Sequence, residues 1–282
     1  MRRGFAVFGM AVLLAFAVIA AAPIVVLVTG SLMGDVEIRE YLSPVLTGAK
    51  GYASWRLFPE YPTLKNAVEL LLDSPEFFLM FWNTMKIAAG ILLGQLVLAL
   101  PAAWGLSRGN FPGKRFVYGL YILLMVMPFQ VMMLSQYLVL KGMGLDNTLW
   151  AVILPGSFST FSVFLMYRFF TEIPEEVLEA ARIDGAGEWK IFLFIGVPLG
   201  RTGVTAALLL QFLEAYGMVE QPLAFLKEKS LFPLSLYLPE ISLEEAGFAF
   251  CASLAALLPV LFLFLAGSKE LGEGIASSAW KE

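Results

Sequence analysis

The sequence contains no histidine and a single cysteine, Cys251, among its 282 residues. The lack of histidine excludes catalysis by an imidazole base and metal sites with histidine ligands, and one cysteine excludes an internal disulfide bond. Charged residues make up only 15% of the chain, compared with about 25% in an average soluble domain. The net charge of −4 and the isoelectric point near 5.1 give no reason to expect nucleic-acid binding.

Apolar residues, by contrast, account for 59% of the chain, and the mean hydropathy is +0.78. They form long continuous runs rather than an alternating pattern, and only helices or closed barrels satisfy their backbone groups in lipid. A membrane-spanning helix needs roughly 20 mainly apolar residues. Six stretches meet this length: about residues 5–32, 83–106, 116–140, 149–170, 191–213 and 246–267. The sequence therefore predicts an all-α polytopic membrane protein with six transmembrane helices.

The positions of these stretches predict the organisation of the chain. The start, with Arg2, Arg3 and three alanines at 20–22, is similar to a signal peptide. The apolar run continues to Val28, however, which favours an uncleaved first span. The predicted parts are a first transmembrane helix at 1–33, an extracytoplasmic loop at 34–82, a five-helix core at 83–267 with a cytoplasmic loop at 171–189, and a cytoplasmic tail at 268–282.

The distribution of basic residues predicts the orientation in the membrane, because lysine and arginine are enriched in short cytoplasmic loops. Arg2 and Arg3 favour a cytoplasmic amino terminus. The loop at 107–115 carries Arg108, Lys114 and Arg115 and no acidic residue. With six spans, both termini are then expected on the cytoplasmic side, and the inverted topology is the alternative.

The loop at 171–189 is long and charged, and its pattern predicts a short amphipathic helix from about Glu175 to Asp184. Pro174 suits the first position of a helix, and Gly185 suits the left-handed residue that ends one. Val177, Leu178 and Ala181 would form an apolar stripe, and Arg182 would pair with Glu179 across one turn.

A helix this short is marginal in water by itself, so it needs a surface to pack on. The lipid surface is one alternative, but four residues of the segment are acidic and one is basic. Anionic cytoplasmic lipids attract basic faces, so a protein partner is the better interpretation.

The loop and its continuation carry a specific spacing: Glu179-Ala180-Ala181, three residues, Gly185, nine residues, Ile195, one residue, then Val197-Pro198. This resembles the EAA loop, EAA-x3-G-x9-I-x-LP, of permease subunits of binding-protein-dependent ABC importers, with Val197 in place of leucine. The segment Pro59 to Asn66 is similar to the "P-x-x-P-T-L-x-N" entry of the carbohydrate-uptake branch, and Asn83-Thr84 and the tail at 274–281 agree with it. The match is to the smaller, maltose-permease-like subunit.

The resemblance implies a type I ABC importer permease fold and a set of partners. These are a second homologous permease, two ATPase subunits, an extracytoplasmic solute-binding protein and the lipid bilayer. The predicted helix would dock into the ATPase subunit, with Leu178 and Ala181 buried there and Glu179 making a charged or capping contact. The residues implied in this coupling helix are Leu178, Glu179, Ala180, Ala181, Arg182, Asp184 and Gly185. The chain has no G-x-x-x-x-G-K-[ST] loop, so no cofactor is expected on it, and ATP and magnesium would bind to the ATPase subunits.

The branch of the family implies a carbohydrate solute, and polar residues in or beside the spans are candidates for its pathway. These candidates are Gln130, Tyr137, Ser159 and Glu214. The stretch Glu214 to Gly217 departs from the family's "E-A-W-N", so it does not indicate which solute is carried. Import of a polyamine or another small polar solute is the alternative, followed by an ion-coupled secondary transporter, whose paired repeats and midplane charges are not evident.

Overall fold

The computed structural model describes residues 2–46, 52, 54–237 and 245–279. Within these residues the regular structure is helical and contains no β-strand. The α-helices are α1 (Arg2–Leu32), α2 (Asp35–Leu46), α3 (Lys65–Asp73), α4 (Pro75–Val97), α5 (Ala99–Arg108), α6 (Lys114–Val126), α7 (Phe129–Gly142), α8 (Trp150–Ser157), α9 (Thr160–Thr171), α10 (Glu175–Ile183), α11 (Glu188–Ile191), α12 (Val197–Leu199), α13 (Arg201–Gly217), α14 (Glu220–Phe225) and α15 (Ala246–Ala279).

Four helical segments are long and apolar enough to cross a membrane without a sharp bend: Phe8–Leu32, Pro75–Arg108, Trp150–Thr171 and Ala246–Ser268. Two further pairs of helices qualify only together, because each is bent at a short break. They are α6 with α7, bent by 108°, and α11–α12 with α13, bent by 75°. Counting each pair as one span gives six, in agreement with the six predicted stretches.

Proline and glycine account for the two bends. Pro128, with φ −67° and ψ 147°, separates α6 from α7 in an extended conformation, since proline cannot donate a hydrogen bond to the preceding turn. A π-helical turn at Phe192–Gly196 leads into α12, and Gly200 separates α12 from α13. The sequence places Pro128, Pro198 and Gly200 at these two breaks, but it does not give the size of either bend.

The chain divides into two compact units, Met1–Phe78 with Tyr237–Pro259 and Leu79–Leu236 with Val260–Glu282. In the first unit, the buried Asn66 of α3 donates from Nδ2 to the carbonyl oxygens of Ser31 and Met33, at 3.3 and 3.1 Å. These carbonyls lie at the end of α1, where helical partners are lacking. The stretch expected as a loop at 34–82 therefore contains α2 and α3, and α4 already begins at Pro75.

The second unit is built on close approach of helices through small residues, as is common in membrane proteins. A Cβ atom added at Gly196 would lie 2.4 Å from the Trp104 ring, and one added at Gly203 would lie 2.2 Å from the Phe169 ring. Glycine at these positions therefore allows α5 and α9 to pack directly on the backbone of the bent fifth span.

Polar side chains join helices of the second unit, as expected for polar residues within spans. Gln95, which is fully buried, donates from Nε2 to the carbonyl of Gly156 at 3.1 Å. That carbonyl lies where α8 ends and no further helical N–H follows. Ser162 of α9 donates to Oε1 of Gln211 on α13 at 3.4 Å. These hydrogen bonds join the spans, and the one from Gln95 satisfies the Gly156 carbonyl, which would otherwise lack a partner in an apolar environment.

The last helix is longer than the last predicted span. α15 continues to Ala279, beyond the expected end of the span at residue 267. The stretch expected as a tail at 268–282 is therefore helical up to that point, because no proline follows Pro259 to end the helix. Residues 280–282 of the predicted tail lie outside the described residues.

Candidate functional site

The predicted amphipathic helix is present as α10, Glu175–Ile183. Pro174 directly precedes it in an extended conformation, and Glu175 and Glu176 occupy its first turn, where the helix dipole favours negative charge. Pro174 was predicted to be the first residue of the helix, and it lies instead one residue before the helix begins.

The end of α10 is a complete Schellman motif. Gly185 has φ +82°, which confirms its predicted left-handed conformation. Its N–H donates to the carbonyl of Arg182 at 3.0 Å, and the N–H of Ala186 donates to the carbonyl of Ala181 at 3.0 Å. These two bonds satisfy carbonyls that the end of the helix would otherwise leave free, so the turn after α10 has one defined direction.

Leu178 attaches α10 to the body of its own chain. Its side chain is fully buried, and Ala181 and Ala186 pack beside it. Leu178 belongs to the apolar core of the second unit, and we call its larger members near both ends of the loop the Leu178 cluster: Leu100, Trp104, Phe170, Ile173, Leu178, Ile191 and Phe192. Within it, the Trp104 and Phe170 rings meet edge to face with centroids 5.2 Å apart. The expectation that Leu178 would be buried against an ATPase subunit is therefore wrong, since the second unit of this chain already covers it. Ala181 is only half-buried, and its burial against a partner stays a prediction.

The opposite face of α10 is exposed. With 3.6 residues per turn, Glu176, Ala180 and Ile183 lie opposite Leu178, and all three are exposed. Ile183 is 86% exposed and Val177, on the flank, is 41% exposed. The exposed side of α10 therefore carries both apolar and acidic side chains.

A series of ion pairs connects α10 with the end of α5 and the start of α11. Glu175 accepts from Arg108 at 2.9 Å and from Arg182 at 2.8 Å, and Arg182 also donates to Glu188 at 2.9 Å. The hydrogen bond from Arg182, with the nearby charge of Arg108, lowers the pKa of Glu175. The expected pair of Arg182 with Glu179 is wrong, because Arg182 points back to the start of α10 and forward to the start of α11. Glu179 is exposed.

A groove about 470 Å³ in volume lies between α7 and α14. In it, Nε2 of Gln130 donates to both carboxylate oxygens of Glu220, at 2.8 and 2.7 Å. The ring of Tyr137 stacks on that of Phe225 with centroids 6.4 Å apart. The groove therefore contains the aromatic rings of Tyr137 and Phe225 and the Glu220 carboxylate, which the side-chain amide of Gln130 orients.

The predicted pathway residues are only partly brought together. Gln130 and Tyr137 line the groove, whereas Ser159 and Glu214 do not. Ser159 caps the start of α9, where its hydroxyl accepts from the N–H of Ser162. Glu214 lies exposed on α13.

Comparison with known proteins places this geometry in a family. Residues 87–268 match the family described as binding-protein-dependent transport system inner membrane component. The chain belongs to this family of ABC importer permeases. The matched residues include α10, the Leu178 cluster and the groove.

Two relatives with carbohydrate names resemble this permease. It is 30% identical over 204 residues to the lactose transport system permease protein LacG of Rhizobium radiobacter, and the aligned residues cover 71% of this chain and 74% of LacG. It is 27% identical over 210 residues to the arabinooligosaccharides transport system permease protein AraQ of Halalkalibacterium halodurans, and the aligned residues cover 73% of this chain and 75% of AraQ.

A solved structure shares the fold. It is a chain of a bacterial ABC transporter involved in the import of the acidic polysaccharide alginate, with a TM-score of 0.78 and 19% identity. The match covers 95% of this chain and 96% of that one. The permease fold expected from the sequence is thus confirmed, and the family description makes this protein an inner-membrane component.

Two features of the permease site were missed by sequence reasoning. In the sequence, Arg108 served only to indicate the orientation in the membrane. Its position at the end of α5, where the helix dipole favours a cation, could also have suggested a structural contact. Glu220 was not among the predicted pathway residues, and nothing in its sequence neighbourhood indicates that α14 places it against Gln130.

Proposed function

We propose that this permease is a membrane-spanning subunit of an ATP-driven importer for sugars or oligosaccharides, and that α10 couples ATP hydrolysis on a partner to alternating access. The observation that carries the proposal is the division of α10 into two faces. Leu178 holds one face to the membrane helices, while the opposite face, with Glu176, Ala180 and Ile183, is exposed. A helix anchored in this way transmits a push on its open face directly to the spans.

The partners we propose are a second, different permease, two ATPase subunits and an extracytoplasmic solute-binding protein. The family description, with its dependence on a binding protein, supports this set. ATP and magnesium would bind to the ATPase subunits. The open face of α10, with Glu176, Glu179 and Asp184 around its apolar residues, suits a groove with an apolar floor and basic rims.

The solute class we propose is carbohydrate, supported by the names of LacG and AraQ and by the groove. Sugars bind through stacking of their apolar faces on aromatic rings and through hydrogen bonds to carboxylates and amides. Tyr137 and the Gln130–Glu220 pair offer these groups. We therefore keep Gln130 and Tyr137 as proposed solute contacts, and import of another small polar solute is the alternative.

The experiment that tests this function begins with the tagged permease purified from its native membrane. We expect an ATPase subunit and a second permease to purify with it. In proteoliposomes, the complex with its outer binding protein should take up labelled lactose or arabino-oligosaccharide only with ATP. Tyr137→Ala should raise the sugar concentration for half-maximal uptake, by about tenfold if one ring contact is lost. A transport-competent homodimer, or uptake driven by an ion gradient without ATP, would contradict the proposal.

We also propose that both termini lie in the cytoplasm and that the segment before α3 faces outward, as Arg2, Arg3 and the loop at 107–115 indicate. Ser54 is exposed, and Cys251 is buried. In a Cys251→Ala background, Ser54→Cys should therefore react with an impermeant maleimide in intact cells. Labelling of that cysteine only after permeabilisation would establish the inverted topology instead.

A further inference from the structure

Arg108 joins three separate pieces of the second unit. Its Nη1 donates to Oε2 of Glu175 at 2.9 Å, at the start of α10. Its Nη2 donates to the carbonyl oxygens of Phe170 and Ile173, at the end of α9 and in the turn that follows. The side chain itself extends from the last residue of α5 and is only 12% exposed.

These contacts lie beside the Leu178 cluster. Phe170 contributes its ring to the cluster and its carbonyl to Arg108, and Ile173 does the same with its side chain and its carbonyl. The joint between α10 and the spans therefore has an apolar part, centred on Leu178, and a polar part, centred on Arg108. Leu178 can hold α10 in place, but an apolar contact does not direct it, whereas hydrogen bonds to three acceptors do.

We propose that Arg108 is a positioning residue for coupling: it locks α10 to the ends of α5 and α9, so that the three helices move as one body. This inference rests on the proposed function of α10. The ion pairs continue from Glu175 through Arg182 to Glu188, the first residue of α11. A displacement of α10 is thereby delivered to the fifth span as well as to α5 and α9.

The lock requires the guanidinium group and not only its charge. Two nitrogens in a fixed plane serve the carboxylate on one side and two carbonyls on the other, which a lysine ammonium on its flexible stem does not reproduce. Arg108→Lys keeps the charge and should lose the lock, and Arg108→Gln loses both. Arg115 offers a control, because it lies exposed in the first turn of α6, only seven residues further along, and has no ion pair within the described part of the chain.

The first measurement is hydrogen–deuterium exchange of the amides at 175–186 in the purified permease. We expect Arg108→Lys and Arg108→Gln to speed exchange there by about tenfold or more, the range that loss of charged hydrogen bonds allows. Arg115→Gln should leave exchange unchanged. Unchanged exchange in both Arg108 variants would overturn the lock, whether or not an ATPase binds to this protein.

The second measurement separates coupling from assembly in the reconstituted importer. With Arg108→Gln we expect ATP hydrolysis to stay within about twofold of wild type while sugar uptake falls by about tenfold or more. With Arg115→Gln both rates should match wild type. A parallel fall of hydrolysis and uptake, or normal uptake, in Arg108→Gln would overturn the inference. A wild-type permease that captures no ATPase would instead overturn the proposed function.

Discussion

Replacing Leu178 with alanine is expected to detach α10 from the membrane helices. The leucine is fully buried within the Leu178 cluster, and removing such a side chain costs about 2–5 kcal/mol. Because α10 has only two and a half turns, we expect it to open locally rather than unfold the spans. Exchange of the amides at 175–186 should increase by at least about tenfold.

The control for this prediction is on the same helix. Val177→Ala removes a comparable side chain that is 41% exposed, so it should change local stability by less than about 0.5 kcal/mol. Ala180→Trp should leave the exchange of α10 unchanged, because Ala180 is exposed, yet it should prevent an ATPase subunit from purifying with the permease. If Leu178→Ala and Val177→Ala gave the same exchange, Leu178 would not be the anchor.

Replacing Gly185 with valine is expected to break the turn after α10. A β-branched residue resists the positive φ of +82° found there, and holding it in that conformation costs about 1–3 kcal/mol. The Schellman hydrogen bonds from Gly185 and Ala186 would be lost with the turn. Protein should reach the membrane at normal levels, since the spans are untouched, but sugar uptake should fall by about tenfold or more.

Gly187→Val is the matched control, two residues further along. Gly187 has φ −74° and ψ 157°, a conformation open to any residue, and an added Cβ there would meet no atom within 4 Å. Gly185→Asn should retain more uptake than Gly185→Val, because asparagine tolerates the left-handed region. Equal uptake by Gly185→Val and Gly187→Val would show that the direction of this turn does not matter for transport.

Acidification should weaken the ion pairs of α10. The hydrogen bond from Arg182 lowers the pKa of Glu175 in the folded protein. The stabilisation that the ionised Glu175 gives to the folded state is therefore complete above the ordinary glutamate pKa, and it is lost as pH falls through the lowered pKa. At neutral pH the pairs are therefore fully formed, and the Arg108 lock is not expected to respond to physiological changes in pH.

The sequence by itself determined the class of the protein and the local structure of its loop. Continuous apolar runs specify membrane helices because lipid offers no partner for backbone groups, and Pro174 and Gly185 specify the ends of α10 through their own backbone preferences. The identity of the family followed from the spacing around Glu179. All of these depend on residues that are neighbours in the chain, which is why they could be predicted.

Only the tertiary structure decided which face of α10 is buried and what holds it. Leu178 and Ala181 form an apolar stripe that suits either a partner or the chain's own helices. The choice depends on Phe170 and Phe192, which belong to the flanking helical segments, and on Trp104, which lies far away in sequence. The loop offers Arg182 several acidic residues, Glu179 among them, and the return of the chain from α10 to α11 selects Glu175 and Glu188. Contacts between distant segments arise from packing, and periodicity within one segment carries no information about them.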